Sequence, residues 1–160
     1  MIAVSELFDV SYGVNLELNK LELDYNGVNF VSRTAKNNGV SAKVKRLDGV
    51  EPIPAGMITV AGGGSVMESF LQPEEFYSGR DLYYLKPKFD FTDQEKIYYC
   101  ICLRANKYRF NYGRQANRTL KDILVPSREE IPQWVSKLHL AKLENDIANI
   151  RRSLQESLHG

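Results

Sequence analysis

Histidine and cysteine are nearly missing from this 160-residue chain, which holds two of each. The cysteines, Cys100 and Cys102, sit in YYCICL. Residues this close cannot easily bridge each other, and there is no third cysteine to pair with either, so buried, reduced thiols are expected. The histidines, His139 and His159, lie far along the chain, which leaves too few soft ligands for a zinc site. No metal is therefore expected. No apolar run approaches the roughly 18 residues of a membrane span. The start, MIAVSELFDV, has no basic region and carries Glu6 and Asp9, unlike a signal peptide. A cytoplasmic protein without membrane contact is the expectation.

Catalytic signatures are scarce as well. The run GGGSV at 62–66 lacks the lysine and the spacing of a phosphate-binding loop. There is no G-x-S-x-G elbow, and no histidine falls in the strand–loop part to act as a base. Metal-dependent cleavage needs clustered carboxylates, often with a nearby lysine. The candidates Glu22/Asp24 and Asp90/Asp93/Glu95 lack such an arrangement. Neither an Asn-Pro-Pro-Tyr loop for base methylation nor a glycine-rich loop for a methyl donor is found. A non-enzyme without catalytic residues or cofactor is expected. The glycine run instead allows a sharp bend or a close approach of backbone to a ligand.

What is present is segregated charge. The net charge is only +1. Yet residues 33–46, RTAKNNGVSAKVKR, hold five basic residues and no acid, and residues 104–118, RANKYRFNYGRQANR, hold five more and no acid. The other eleven basic residues face all twenty acids, a balance of −9. Two basic segments on an acidic body form an electrostatic footprint for a polyanion. The plainer alternative is two solvated faces.

The first ninety residues read mainly as β. Val28–Ser32 is strand-like, Asn38-Gly39 is a turn that tolerates positive φ, and VSAKV follows with strand alternation. IPAG turns into MITVA, a β-branched strand. Gly62–Gly64 break the chain, Phe76–Arg80 reads as a loop, and DLYYLKP as a strand closed by Pro87. Thr92-Asp93-Gln94-Glu95 is a capping box, so KIYYCICLRA reads as a buried helix, with a strand as the alternative. Thr119 can cap a short turn, TLKD, before a short strand, ILVP. From Pro132 the character changes, with no Gly or Pro between Gln133 and His159. Leu140, Leu143, Ile147, Ile150 and Leu154 recur at heptad spacing. A helix of about 26 residues would be about 39 Å long, longer than a small domain is wide. It is expected to project and to pair its seam with another helix, with packing on its own domain as the alternative.

The basic segments carry the residue types that bind DNA. Arg and Lys contact phosphates and read guanine edges, while Asn and Gln read adenine. The candidates are Arg33, Lys36, Asn37, Asn38 and Lys43 in the first segment, and Lys107, Arg109, Tyr112, Arg114, Gln115, Asn117 and Arg118 in the second. Ser65, in the glycine run, joins them. Tyr108, Phe110 and Tyr112 fall at spacing two, so in a strand they share one face and Arg109 takes the other. Such aromatics are more often packing residues than base-stacking ones.

FVSRTAKNNGV (30–40), ITVAGGGSV (58–66), FYSGRDLYYLKPK (76–88) and NKYRFNYGR (106–114) resemble the target recognition domain of bacterial restriction–modification specificity subunits. LFDVSYGVNLELNKL is similar to that family's opening segment. Pro132 and Trp134, in IPQWVSKLHLAKLE, look like its Pro-x-Trp before a helix. The resemblance implies an α+β fold: a mixed, β-rich target recognition domain over 1–130, then one long coiled-coil-like helix over 131–160 serving as spacer and dimerisation arm. It implies a non-catalytic, type I-like subunit that binds double-stranded DNA and directs a modification methyltransferase, and a restriction subunit, to its target. A complete type I subunit resembles two such halves in tandem, and this chain has one. It reads as a natural half-subunit, a truncation or an excised domain, and a half is expected to homodimerise through its helix. Two competing readings remain: a recognition fragment of a fused restriction enzyme–methyltransferase whose catalytic part lies elsewhere, and a coiled-coil protein with incidental basic loops.

Overall fold

The computed structural model describes residues 1–107 and 120–138. Nine strands and two α-helices lie among them: β1 (Ile2–Ala3), α1 (Val4–Leu7), β2 (Phe8–Tyr12), β3 (Leu23–Val31), β4 (Val40–Val44), β5 (Ile58–Ala61), β6 (Ser69–Leu71), β7 (Phe76–Ser78), β8 (Leu82–Pro87), α2 (Asp93–Ala105) and β9 (Leu124–Val125). An antiparallel four-stranded sheet runs β2-β8-β5-β6. A three-stranded sheet runs β4-β3-β7, with β3 and β4 antiparallel and β3 and β7 parallel. The pair β1-β9 ties the start of the chain to the segment after α2. This is the mixed, β-rich architecture expected.

Burial explains the strands. All four residues of β5, ITVA, are buried, as a β-branched run between two partners should be when both its faces are covered. In β4 the inward Val44 is fully buried, while Ser41 and Lys43 are exposed on the opposite side. The main core joins Phe8, Ile58, Val60 and Leu85 of the larger sheet to Tyr99, Cys100 and Leu103 of α2. A smaller cluster, Val31, Ile53, Phe76 and Leu82, draws on both sheets.

The capping box forms as expected. Thr92 Oγ1 accepts from the Glu95 amide at 3.2 Å, and the Glu95 carboxylate accepts from the Thr92 amide at 2.9 Å. The helix reading of KIYYCICLRA therefore stands and the strand alternative falls. The helix buries one side only: Tyr99, Cys100 and Leu103 are inside, while Ile101 is exposed. Phe8, Phe91 and Tyr99 meet ring to ring at 5.4–5.5 Å. The Tyr99 hydroxyl donates to the Pro126 carbonyl at 2.9 Å. Both cysteines are free thiols, Cys100 buried and Cys102 half-buried.

Two expectations are corrected. Phe76–Ser78 is a strand, not part of a loop: all three residues are buried, and β7 pairs with β3. Its partner lies far back in the chain, so no local pattern announces it; only Gly79 and the residues after it form the connection. Nor does a helix begin at Gln133. Gln133–Lys137 form a 3₁₀ segment whose Val135 is fully buried, and Leu138 is extended at φ −65°, ψ 130°. Val135 is drawn into the core, which holds this segment against the domain in a tight turn. That seam (Leu140, Leu143, Ile147, Ile150, Leu154), the aromatic alternation at 108–112 and the Thr119 cap lie outside the described residues.

Candidate nucleic-acid interface

The turn in the first basic segment is built by three consecutive left-handed residues, Asn37 (φ 51°), Asn38 (φ 56°) and Gly39 (φ 79°). Asparagine tolerates that region because its short amide bonds locally, and glycine has no Cβ to clash. A Cβ on Gly39 would lie 3.3 Å from the Phe70 ring, so the turn packs directly on β6. The Asn37 side chain donates to the Val40 carbonyl at 3.0 Å, and that of Asn38 donates to the Leu71 carbonyl at 3.0 Å. Gln72, buried in the core, donates from Nε2 to the Asn38 carbonyl and to Thr59 Oγ1, at 3.0 and 3.1 Å. The turn is thus held from within, and each Asn amide has one N–H already engaged. Lys36 projects from the same turn, exposed.

Arg33 enters this turn across the glycine run. Its Nη1 donates to Asp81 Oδ2 at 3.1 Å, and its carbonyl accepts from the Ser65 amide at 3.4 Å. An added Cβ would lie 2.8 Å from Arg33 Nη1 at Gly63, and 3.0 Å from the Arg33 carbonyl oxygen at Gly64. The glycines are there because Arg33 occupies the space a side chain would need. Asp81 is itself left-handed (φ 54°) and pinned on both sides. Its amide donates to the Tyr12 hydroxyl at 2.7 Å, and its carbonyl accepts from Gly62 N–H at 2.7 Å. Tyr12 meets Tyr83 edge to face at 5.1 Å. Burial, then the neighbouring Tyr12 and Asp81, push the Tyr83 hydroxyl above its ordinary range.

The second basic segment begins beside the first. Arg104, in the last turn of α2, lies over the Phe70 ring at 5.8 Å, and Lys107 Nζ reaches Glu68 at 3.5 Å. The Asn38 turn, the glycine loop with Ser65, and the end of α2 therefore converge around β6, the edge strand of the larger sheet. Of the expected site residues, Arg33, Lys36, Asn37, Asn38, Ser65 and Lys107 gather there, while Lys43 stands apart on the exposed face of β4. Arg109, Tyr112, Arg114, Gln115, Asn117 and Arg118 lie outside the described residues.

The first segment is not the uncompensated positive face its sequence implies. Acids from elsewhere in the chain come to it: Asp81 to Arg33, Glu22 to Lys45 at 3.9 Å, and Glu51 and Glu75 to Arg46 at 2.9 and 3.1 Å. Among the described residues, Lys36 and Lys43 have no such partner. Asp81, Glu68, Phe70 and Gln72 did not emerge from the sequence. The one available signal was Gly79-Arg80-Asp81, where an Asp after a glycine suits a left-handed turn. Among the described residues no cluster of His, Cys, Asp and Glu could hold a metal, and no helix is long and apolar enough to cross a membrane.

A β-rich domain thus brings the Asn38 turn of the first basic segment and the start of the second, Arg104 and Lys107, to one sheet edge. Residues 1–126 match the type I restriction modification DNA specificity domain, and the chain belongs to that family. It is 30% identical over 139 residues to the specificity subunit S.BcgI of a type II restriction enzyme from Heyndrickxia coagulans, a match covering 82% of this chain and 39% of that one. Its fold is similar to the HsdS subunit from Thermoanaerobacter tengcongensis (TM-score 0.67, 15% identity, covering 95% of this chain and 39% of that one). It is also similar to the type I restriction–modification S subunit from M. genitalium (TM-score 0.63, 18% identity, 97% and 43%). A chain solved in a study of type I R-M complex assembly superposes with a TM-score of 0.68 at 17% identity, over 98% of this chain and 40% of that one. The chain thus spans about two fifths of the length of the proteins it matches.

Proposed function

We propose that this chain binds duplex DNA in a sequence-dependent way and, as the recognition part of a restriction–modification specificity subunit, brings a modification methyltransferase and a restriction subunit to their target without doing chemistry itself. The observation that supports this is the convergence of the Arg33–Gly39 turn, the Gly62–Ser65 loop and the Arg104–Lys107 end of α2 around one sheet edge. Phosphate contacts supply affinity and register, and base-edge contacts supply the choice of sequence. In this reading Lys36, Lys107, Arg109, Arg114 and Arg118 contact mainly phosphates, with Lys43 flanking. Ser65 lies where backbone can approach the duplex. Asn37, Asn38, Tyr112, Gln115 and Asn117 line the base-reading side. The domain spans 1–130 with the 3₁₀ segment Gln133–Lys137 packed on it, and the seam beyond Leu138 belongs to an arm that homodimerises or docks on the methyltransferase, in the cytoplasm.

Fluorescence anisotropy with duplex DNA across a salt series tests this. The unaltered protein should show a steep fall of affinity with salt. The R109A/R114A/R118A variant should lose roughly one unit of salt slope per contact. A variant that stays folded, with affinity and slope unchanged, would remove this segment from the interface.

A further inference from the structure

Arg33 differs from the other described cations of the first basic segment. It is three-quarters covered, with 29% side-chain exposure, and is paired to an acid that is 22% exposed. Its aliphatic stem and guanidinium lie in the space left by Gly63 and Gly64. Asp81, its partner, is fixed by backbone bonds to Tyr12 and Gly62 before any ligand arrives. Such an arginine contributes little to attracting a polyanion, because Arg33 and Asp81 together carry no net charge. Arg80, whose Nε lies 3.6 Å from the same Asp81 oxygen, has a side chain that is 71% exposed and supplies the solvent-facing charge at that point instead.

A guanidinium held by one N–H still has four to offer, and among the described residues only Nη1 of Arg33 donates to the protein. Fixing the planar fork in advance reduces the rotamer entropy lost on contact. Net neutrality is a handicap for phosphate binding but not for a bidentate contact with a base edge. Guanine, with O6 and N7 as paired acceptors in the major groove, is the edge that matches this fork.

Resting on the DNA-binding reading above, we propose that Arg33 reads a guanine and that Asp81 is the residue that positions it for this. Arg33 therefore sets specificity at one base pair without adding to the salt slope. Asp81 restrains it from acting as a loose phosphate-binding cation.

The test begins by selecting the preferred site of the unaltered protein from a randomised duplex pool. Binding is then measured to that site and to every single G·C replacement across a salt series. R33K keeps the charge pair with Asp81 and so the loop, but removes the fork. It should melt within a few degrees of the unaltered protein and keep its salt slope, yet lose about 5- to 150-fold discrimination at one G·C pair only. D81N frees the arginine. It should lose discrimination at that same pair while its affinity for unrelated duplex and its salt slope both rise. If R33K keeps full discrimination at every G·C pair, or if R33K and D81N lose it at different pairs, the guanine assignment is wrong. If R33Q lowers the slope by about one unit and weakens all sequences equally, Arg33 is a phosphate contact instead. Should the unaltered protein bind no duplex, or select no sequence, the failure belongs to the DNA-binding reading and is seen before any variant is made.

Discussion

Cys100 illustrates what burial alone does to a side chain. It packs among Phe8, Leu85 and Tyr99, and the loss of solvent pushes its thiol up from 9.0 to about 12, with Arg104 opposing and Cys102 adding. The folded state therefore holds the proton more tightly than the unfolded chain. Stability from this group is complete below about pH 9 and is lost as pH rises toward 12, with a slope of up to about 1.4 kcal/mol per pH unit. Tyr98, half-buried beside Cys102 and pushed to about 12, acts in the same direction. Urea midpoints between pH 8 and 11 should fall above pH 9, and C100A should fall less steeply over that range. Equal slopes for the two proteins would show that the thiol binds its proton equally well in the folded and unfolded states. At this scale the sequence was informative about Cys100, since two neighbouring cysteines in an apolar run have few other uses. It was silent on Gln72. Nothing local says that a glutamine after a short strand will lie in the core and hold the carbonyl of Asn38, yet that bond fixes the turn carrying Lys36.

Among the elements, α2 was the most legible, because its start is written within four residues. Thr92 and Glu95 satisfy each other's backbone amides, and the aromatic side chains that follow are spaced to meet Phe8 and Phe91. Thr92→Ala should cost about 1 kcal/mol, within a range of roughly 0.5–2, lowering the melting temperature by about 2–4 °C. Thermal unfolding by circular dichroism measures this, and no shift would mean that water or a neighbour replaces the cap. Since Arg104 and Lys107 lie in the last turn of α2 and just beyond it, weakening the opposite end should leave DNA affinity nearly unchanged. The strand β7 shows the opposite case. Phe-Tyr-Ser carries no alternation of its own, because all three positions are buried between β3 and the Ile53 bridge. The segment after Pro132 misled for a related reason: a stretch with no Gly or Pro to interrupt a helix is held in a 3₁₀ turn because Val135 is drawn into the core and Trp134 meets Tyr98 at 6.1 Å.

For the whole molecule, the proposed arm makes association testable. The proposed arm has five seam residues, and each one fully buried contributes roughly 1.5–3 kcal/mol, enough to offset the entropic cost of association when the geometry is good. A two-fold pairing would set two domains at a fixed separation on DNA. Sedimentation at micromolar concentration should show a dimer, or a monomer that associates only with a methyltransferase. Replacing Ile147 and Ile150 with Asp should abolish either association while sparing the domain's thermal unfolding. Unchanged association in that variant would place the contact elsewhere.

By itself the sequence determined whatever depends on a few adjacent residues: the capped helix, the Asn38-Gly39 turn, the buried β5 strand, and the motifs that carry the family resemblance. Tertiary structure decided which charges of the first basic segment are compensated and where the second one begins. Arg33 meets Asp81 from 48 residues away, and Lys107 meets Glu68 from 39. An acid-free stretch of sequence is not an acid-free surface, because side chains pair through space and the chain must close long loops before those partners meet. The Asn38-Gly39 turn and the Arg104–Lys107 stretch, far apart in the chain, share one edge because β6 lies between them and packs against both.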